Sequence, residues 1–81
     1  MESIKLFANT ESEKILLKAK SKLTATNDTK VTIQITAYKN TTQILSETKK
    51  GSFQIEAKQD TYIRFKANRD ILLIYEIKQF L

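Results

Sequence analysis

The sequence predicts an all-β domain in which about seven antiparallel strands form a small sandwich. The main observation is that apolar and polar residues alternate along most of the chain, as they do on strands with one buried and one solvated face. The second observation is that clusters of polar, turn-forming residues recur about 8–18 residues apart, close to the spacing typical of sandwiches and barrels. The chain is 81 residues long, and we expect residues 1–81 to form a single domain.

The turn clusters divide the chain into its predicted strands. The first strand ends before Asn9, and the second ends at Asn27-Asp28, a pair typical of a hairpin turn. The later strands are defined by alternation and by the clusters between them. The predicted strands are residues 2–8, 14–26, 31–38, 42–47, 52–58, 61–67 and 71–79. Their apolar positions predict a core of Ile33, Ile35, Phe53, Ile55, Ile63, Phe65, Leu73 and Tyr75.

The segment of residues 10–23 fits two interpretations. Thr10 and Glu13 match a helical capping box, and Ile15, Ala19 and Leu23 recur at a helical spacing. The same segment also alternates as a strand, and that alternation continues to residue 26. We favour the strand and keep the helix as the alternative. A straight strand over 14–26 would be about 43 Å long, so it must bend, bulge or cross from one sheet to the other.

The composition restricts how this domain is stabilised. It contains no Cys and no His, so disulfides, thiolate metal sites and the commonest metal ligand are excluded. A short domain without such links often gains stability by burying surface against copies of itself. It has one Gly and no Pro, so its turns must use Asn and Asp, and Gly51 is the position where only Gly fits.

No group of residues predicts catalysis. Without Cys or His, the remaining bases are carboxylates, Lys and Tyr, and Asp60 and Asp70 fall in turns where Asp is a normal turn-former. No Gly-rich loop resembles a phosphate-binding loop. We therefore expect a protein that is not an enzyme and that has neither a cofactor nor a metal site.

Two groups of basic and aromatic residues suggest contact with a polyanion. The net charge is +5, which favours anionic partners, although Lys predominates and Arg is the usual residue for reading phosphates. Lysines at alternate positions would form a ladder on one strand face, and tyrosines beside Arg resemble the stacking surfaces of single-strand binders. The candidate residues are Lys18, Lys20, Lys22, Tyr38, Tyr62 and Arg64. The alternative is a solvated surface in which Lys protects strand edges.

The last strand predicts an interface. Leu73 and Tyr75 occupy one face, but the opposite face also begins with apolar residues, and the chain closes on two more. A strand that is apolar on both faces is either covered twice within the fold or contacts a partner, and so short a sandwich has little chain for a second cover. The predicted interface residues are Leu72, Ile74, Phe80 and Leu81.

The order of features between Lys14 and Ile77 resembles small jelly-roll sandwiches of the GOLD-like kind. The resemblance is carried by Gly51-Ser52-Phe53 at a strand start, by Tyr62-Ile63-Arg64-Phe65, by Asn68 at a turn and by the closing apolar strand. It implies a module of the kind found in virion or adhesion components, which acts in assembly and has no catalytic residues.

The expected function is therefore structural: a small oligomeric virion or capsid-decorating subunit that acts through protein–protein contacts. The partners expected are copies of the chain or a larger protein assembly. One alternative is a nucleic-acid-binding β module, and another is a small phage-type inhibitor of a host protein. The sequence shows neither a signal peptide nor a membrane-spanning run, so we expect synthesis in the cytoplasm, a place in a virion and no membrane partner.

Overall fold

The computed structural model describes residues 1–80 and contains eight β-strands and no helix within them. The all-β prediction is confirmed, the number of strands is one higher than predicted, and the helical alternative for residues 10–23 is wrong. The strands are β1 (Glu2–Leu6), β2 (Ile15–Leu17), β3 (Ser21–Thr26), β4 (Thr32–Lys39), β5 (Thr42–Lys50), β6 (Phe53–Ala57), β7 (Thr61–Ala67) and β8 (Ile71–Gln79).

The strands form two antiparallel sheets of four. Sheet A has the order β1-β8-β3-β6, and sheet B has the order β2-β7-β4-β5. The chain changes sheet at every connection except the one between β4 and β5, which form a hairpin. Each sheet is therefore built from strands that are distant in the sequence.

One hydrophobic core receives side chains from both sheets. Phe53 of sheet A and Phe65 of sheet B meet in it with their ring centroids 5.8 Å apart. All the predicted core residues are buried except Ile55, which is partly buried and packs against the cluster. Because burial follows the alternation of the sequence, the predicted strand phase is confirmed.

The extra strand arises because the predicted strand 14–26 is interrupted. β2 ends at Leu17 in sheet B, and β3 begins at Ser21 in sheet A. Lys20, with φ = 61°, adopts the left-handed conformation in the link between them. This left-handed residue changes the direction of the backbone, so the chain can cross from sheet B to sheet A. The crossing explains how a segment too long for one strand fits the domain.

β5 departs most from its predicted range. It continues to Lys50 rather than ending at residue 47, and nearly all of its side chains are exposed. It pairs only with β4, and the register shifts between Ala37 and Tyr38, which marks a bulge. Glu47 and Lys49 lie opposite the buried Ile35 and Ile33, and they form an ion pair of 3.6 Å. A bulge and core-side charges are recognised protections of an edge strand against pairing with another chain.

The turns use the residues that the composition predicted. Asn9 and Asn40 have positive φ, and Gly51 has φ = 79°. A Cβ added at Gly51 would lie 3.4 Å from the Cα and Cγ2 atoms of Thr29. The backbone conformation therefore explains why the single glycine occurs here.

Candidate functional site: the outer faces of the two sheets

The outer face of sheet A carries an exposed apolar pair on a central strand. Leu72 is 58% exposed and Ile74 is 40% exposed, while Leu73 between them is fully buried. Across from them on β1 lie Lys5 and Ser3, respectively. We call Leu72 and Ile74 the β8 patch, and both point away from the core as predicted.

The same face becomes ionic toward the other end of β8. Glu76 and Lys78 form an ion pair of 3.3 Å. Lys22 of β3 lies between Lys78 of β8 and Glu56 of β6, because it is paired with each of them in the two neighbouring strands. The outer face of sheet A thus combines a small apolar area with charges of both signs.

The structure separates Phe80, another predicted interface residue, from this patch. Phe80 is 37% exposed, and its backbone N–H donates to the carbonyl of Lys20 over 2.8 Å. It follows Leu72 by eight positions, which corresponds to about 27 Å along a strand, so the two side chains lie at opposite ends of the sheet. Leu81 lies outside the described residues.

The outer face of sheet B brings the two predicted tyrosines together. Tyr38 of β4 lies directly opposite Tyr62 of β7, and the next outward pair is Thr36 with Arg64. Leu16 of β2 continues the row on the other side of Tyr62. Tyr62 is 38% exposed and Leu16 is 40% exposed, so this row offers aromatic and apolar surface to solvent.

Basic side chains surround this aromatic row. The ammonium of Lys14 lies over the Tyr62 ring, 5.7 Å from its centroid. Arg64 donates through Nη1 to Glu11 Oε2 over 3.3 Å. Lys66 and Lys50 project on the same side, since they lie opposite the outward Gln34 and Thr32. We define the aromatic–basic face by these residues: Lys14, Tyr38, Tyr62, Arg64 and Lys66.

The predicted lysine ladder is wrong. Lys18 and Lys20 lie in the link between β2 and β3, and only Lys22 belongs to a strand. Lys22 projects from sheet A, whereas Tyr38, Tyr62 and Arg64 project from sheet B. The six candidate residues therefore do not form one polyanion surface. Lys14, Lys66 and Leu16 join the tyrosines instead. The alternation of residues 61–67 predicts Lys66 on the same side as Tyr62 and Arg64, whereas the sequence linked neither Lys14 nor Leu16 to the tyrosines.

An open groove of about 350 Å³ lies beside β1. Its lining includes the apolar Ile4 and Phe7 and the carboxylates of Glu11 and Glu13. Phe7 is 58% exposed and was not singled out from the sequence. Within residues 1–80, no group of three or more carboxylates is arranged to hold a metal ion.

Tyr75, whose pKa is displaced, belongs to the core. Burial raises the pKa of Tyr75 above its ordinary value of 10.0, and the neighbouring Glu2 carboxylate adds to this rise. Glu2 lies opposite Tyr75 in the β1–β8 register. The shift is explained by packing and by this one acidic neighbour, so it does not indicate a reactive centre.

The described part of the chain contains no helix long and apolar enough to span a membrane. Comparisons with protein-family models, with curated proteins and with solved structures found no match to this chain.

Proposed function

We propose that this chain is a jelly-roll sandwich that functions as a non-enzymatic assembly subunit. The strand order supports this fold, because β1 neighbours β8 in one sheet and β2 neighbours β7 in the other. This nesting of first with last strands is typical of eight-stranded jelly rolls, which are frequent in viral capsid and lectin domains. Fold alone does not define function, so the proposal depends on the surface that the fold presents.

The observation that carries the proposal is the β8 patch. β8 pairs with β1 on one side and β3 on the other, so its backbone is already hydrogen-bonded and only its outward side chains can contact a partner. Fully burying an aliphatic side chain is worth about 1.5–3 kcal/mol, and part of that gain offsets the entropy lost on association. Leu72 and Ile74 would form the apolar centre of an interface between sheet faces.

The surrounding charges suit a symmetric contact between copies. In a two-fold interface the same surface is used by both subunits, so it must be complementary to itself. Lys22, Glu56, Glu76 and Lys78 supply both signs on this face. Opposite charges can therefore meet across the two-fold axis, while a face of one sign would repel its copy.

The most concrete form of this proposal is a small virion or capsid-decorating subunit. Such a subunit needs a compact fold, repeated symmetric contacts and no catalytic group. The protection of the β5 edge agrees with this role, because assembly through a sheet face requires that uncontrolled edge pairing be suppressed.

The test is the oligomeric state of the chain and of a double variant, measured by native mass spectrometry and by light scattering after size exclusion. Leu72→Asp with Ile74→Lys should produce a monomer that keeps the wild-type β-rich circular dichroism spectrum. The matched control is Ile44→Asp with Leu45→Lys, since those residues of β5 are 49% and 37% exposed but lie outside the β8 patch. The control variant should keep the oligomeric state of the wild type.

Two results would contradict the proposal. The proposal depends on self-association or on docking to a larger protein assembly. It is contradicted if the wild-type chain stays monomeric at every concentration and also fails to bind such an assembly. A double variant that unfolds while the control stays folded would show that Leu72 and Ile74 stabilise the monomer rather than an interface.

A further inference from the structure

We propose that the aromatic–basic face of sheet B binds single-stranded nucleic acid, weakly and without sequence preference. This surface is on the opposite sheet from the β8 patch, so one chain could assemble through sheet A and contact a strand of nucleic acid through sheet B. The inference rests on the contacts within sheet B and does not depend on the assembly proposal.

The first argument is the placement of the two tyrosines. Tyr38 and Tyr62 are direct partners on neighbouring central strands, so their Cβ atoms are about 4.5–5.5 Å apart. Both rings rise from a sheet whose backbone is hydrogen-bonded on both sides. Single-strand binders use such fixed aromatic side chains as stacking surfaces, and stacking tolerates any base because every base has a π-face.

The second argument is charge complementarity. The outward side chains of sheet B include Lys50, Arg64 and Lys66. Lys14, just before β2, adds a fourth cation over the Tyr62 ring, and Glu11 pairs with Arg64. The outer face of sheet A, by contrast, carries both signs, since Glu56 and Glu76 lie near Lys22 and Lys78. A phosphate backbone that follows β7 would pass Arg64 and Lys66 after leaving the tyrosines. The excess of positive charge thus lies beside the rings that would hold bases.

The third argument concerns Lys14. Its ammonium lies over the Tyr62 ring, 5.7 Å from the centroid, so an exposed side chain and not the core covers this ring face. A base that stacks on Tyr62 displaces the ammonium, which then lies next to the bound strand and can pair with its phosphate. The exchange replaces a weak exposed contact by a stacking contact and an ion pair.

Glu11 opposes binding in the free protein because it occupies Arg64 through an ion pair of 3.3 Å. A phosphate must compete with this carboxylate for the guanidinium. Removing the carboxylate should therefore strengthen binding, an effect that loss of folding cannot imitate.

The experiment measures fluorescence anisotropy of a labelled oligothymidylate of about 15 nucleotides with the full chain, at several salt concentrations. The wild type should bind with a dissociation constant of about 1–100 µM at low salt and more weakly as salt rises. Tyr62→Ala should weaken binding roughly five- to a hundred-fold, Tyr62→Phe should preserve it, and Glu11→Gln should strengthen it several-fold.

A matched pair of charge variants separates this face from general attraction. Arg64→Gln with Lys66→Gln should weaken binding and reduce the slope of log K against log salt by about 1–2. Lys22→Gln with Lys78→Gln removes the same charge from sheet A, where the two lysines are direct partners, and should have a much smaller effect.

The proposal is overturned if both double variants weaken binding equally, or if Tyr62→Ala binds the oligonucleotide like the wild type. It is also overturned if heparin binds as tightly as the oligonucleotide and Tyr62→Ala affects neither, because binding would then reflect net charge alone. Circular dichroism of each variant tests whether it is folded, which we expect because every substituted side chain is exposed or only partly buried.

Discussion

The carboxylate of Asp60 accepts a hydrogen bond from the backbone N–H of Ala19, with 2.9 Å between Oδ1 and N. Asp70 does the same for the N–H of Ala8 over 2.7 Å. The sequence predicted both aspartates as formers of their own turns. Both lie in connections between strands as predicted, and their carboxylates also hold the segments that cross between the sheets. Asp60 holds the link from β2 to β3, and Asp70 holds the link from β1 to β2.

Asp60→Ala should lower the free energy of unfolding by about 0.5–1.5 kcal/mol, because the N–H of Ala19 loses this acceptor at an exposed site. Asp60→Asn keeps an oxygen in the same position and should lose less. Urea denaturation of both variants measures the difference. Equal stability of the Ala variant and the wild type would mean that water replaces the carboxylate without cost.

Phe65→Ala should lower the free energy of unfolding by about 3–5 kcal/mol, because Phe65 is fully buried against Phe53 and truncation leaves a cavity between the sheets. Phe7→Ala is the control, since Phe7 is 58% exposed and should cost far less. Thermal and urea unfolding test both. An unchanged melting temperature for Phe65→Ala would mean that the inward phase of β7 is assigned wrongly.

Two substitutions at positions with positive φ should change the free energy of unfolding in different ways. Gly51→Ala should destabilise the fold by about 1–2 kcal/mol, because φ = 79° is unfavourable for a residue with a Cβ atom. Lys20→Gly should be neutral or stabilising relative to Lys20→Ala, because Lys20 already has φ = 61°. Denaturant midpoints compare them. The assigned turn geometry fails if Lys20→Gly proves less stable than Lys20→Ala.

Tyr75 should make stability depend on pH in the alkaline range. Its pKa is higher in the folded state than its ordinary value of 10.0, so folding favours the neutral phenol. Its contribution is complete below pH 10 and is lost as the pH rises through the folded pKa. Tyr75→Phe should therefore show a smaller loss of stability than the wild type between pH 9 and 11 in urea denaturation. Parallel pH profiles for the two proteins would assign the alkaline loss to other groups.

Most of the secondary structure could be predicted because burial and alternation agree. β7 and β8 match their predicted ranges completely, and the buried apolar positions of β4 and β6 follow the same period. In these strands one face contacts the core, so the hydrophobic pattern records the strand phase directly.

The crossing between β2 and β3 could not be predicted from that pattern. Leu17 and Ser21 are both buried and Ala19 between them is partly buried, so the alternation continues through the break. The period of two shows which side chains turn inward, but it does not show to which sheet each belongs. The end of β5 was missed for a related reason: its side chains are nearly all exposed, and pairing with β4 alone defines it.

Predicting the candidate surfaces requires the register between paired strands as well as the phase of each strand. Leu72 and Ile74 could be placed on the outer face from their position between buried neighbours. The pairing of Tyr38 with Tyr62 could not be predicted, because β4 and β7 are brought together by the topology rather than by a hairpin. Pairing between such distant strands is invisible to local patterns.

The order of strands also determines when this chain can fold during its synthesis. β8 is an inner strand of sheet A, and both β1 and β3 need it as a hydrogen-bonding partner. A nascent chain that has emerged only to β7 has every strand of sheet B but must leave β1 unpaired. Sheet A cannot be completed before β8 has left the ribosome, and its strands pair across long stretches of sequence, so the domain should fold in a slow and single cooperative step only once residues 71–79 have emerged.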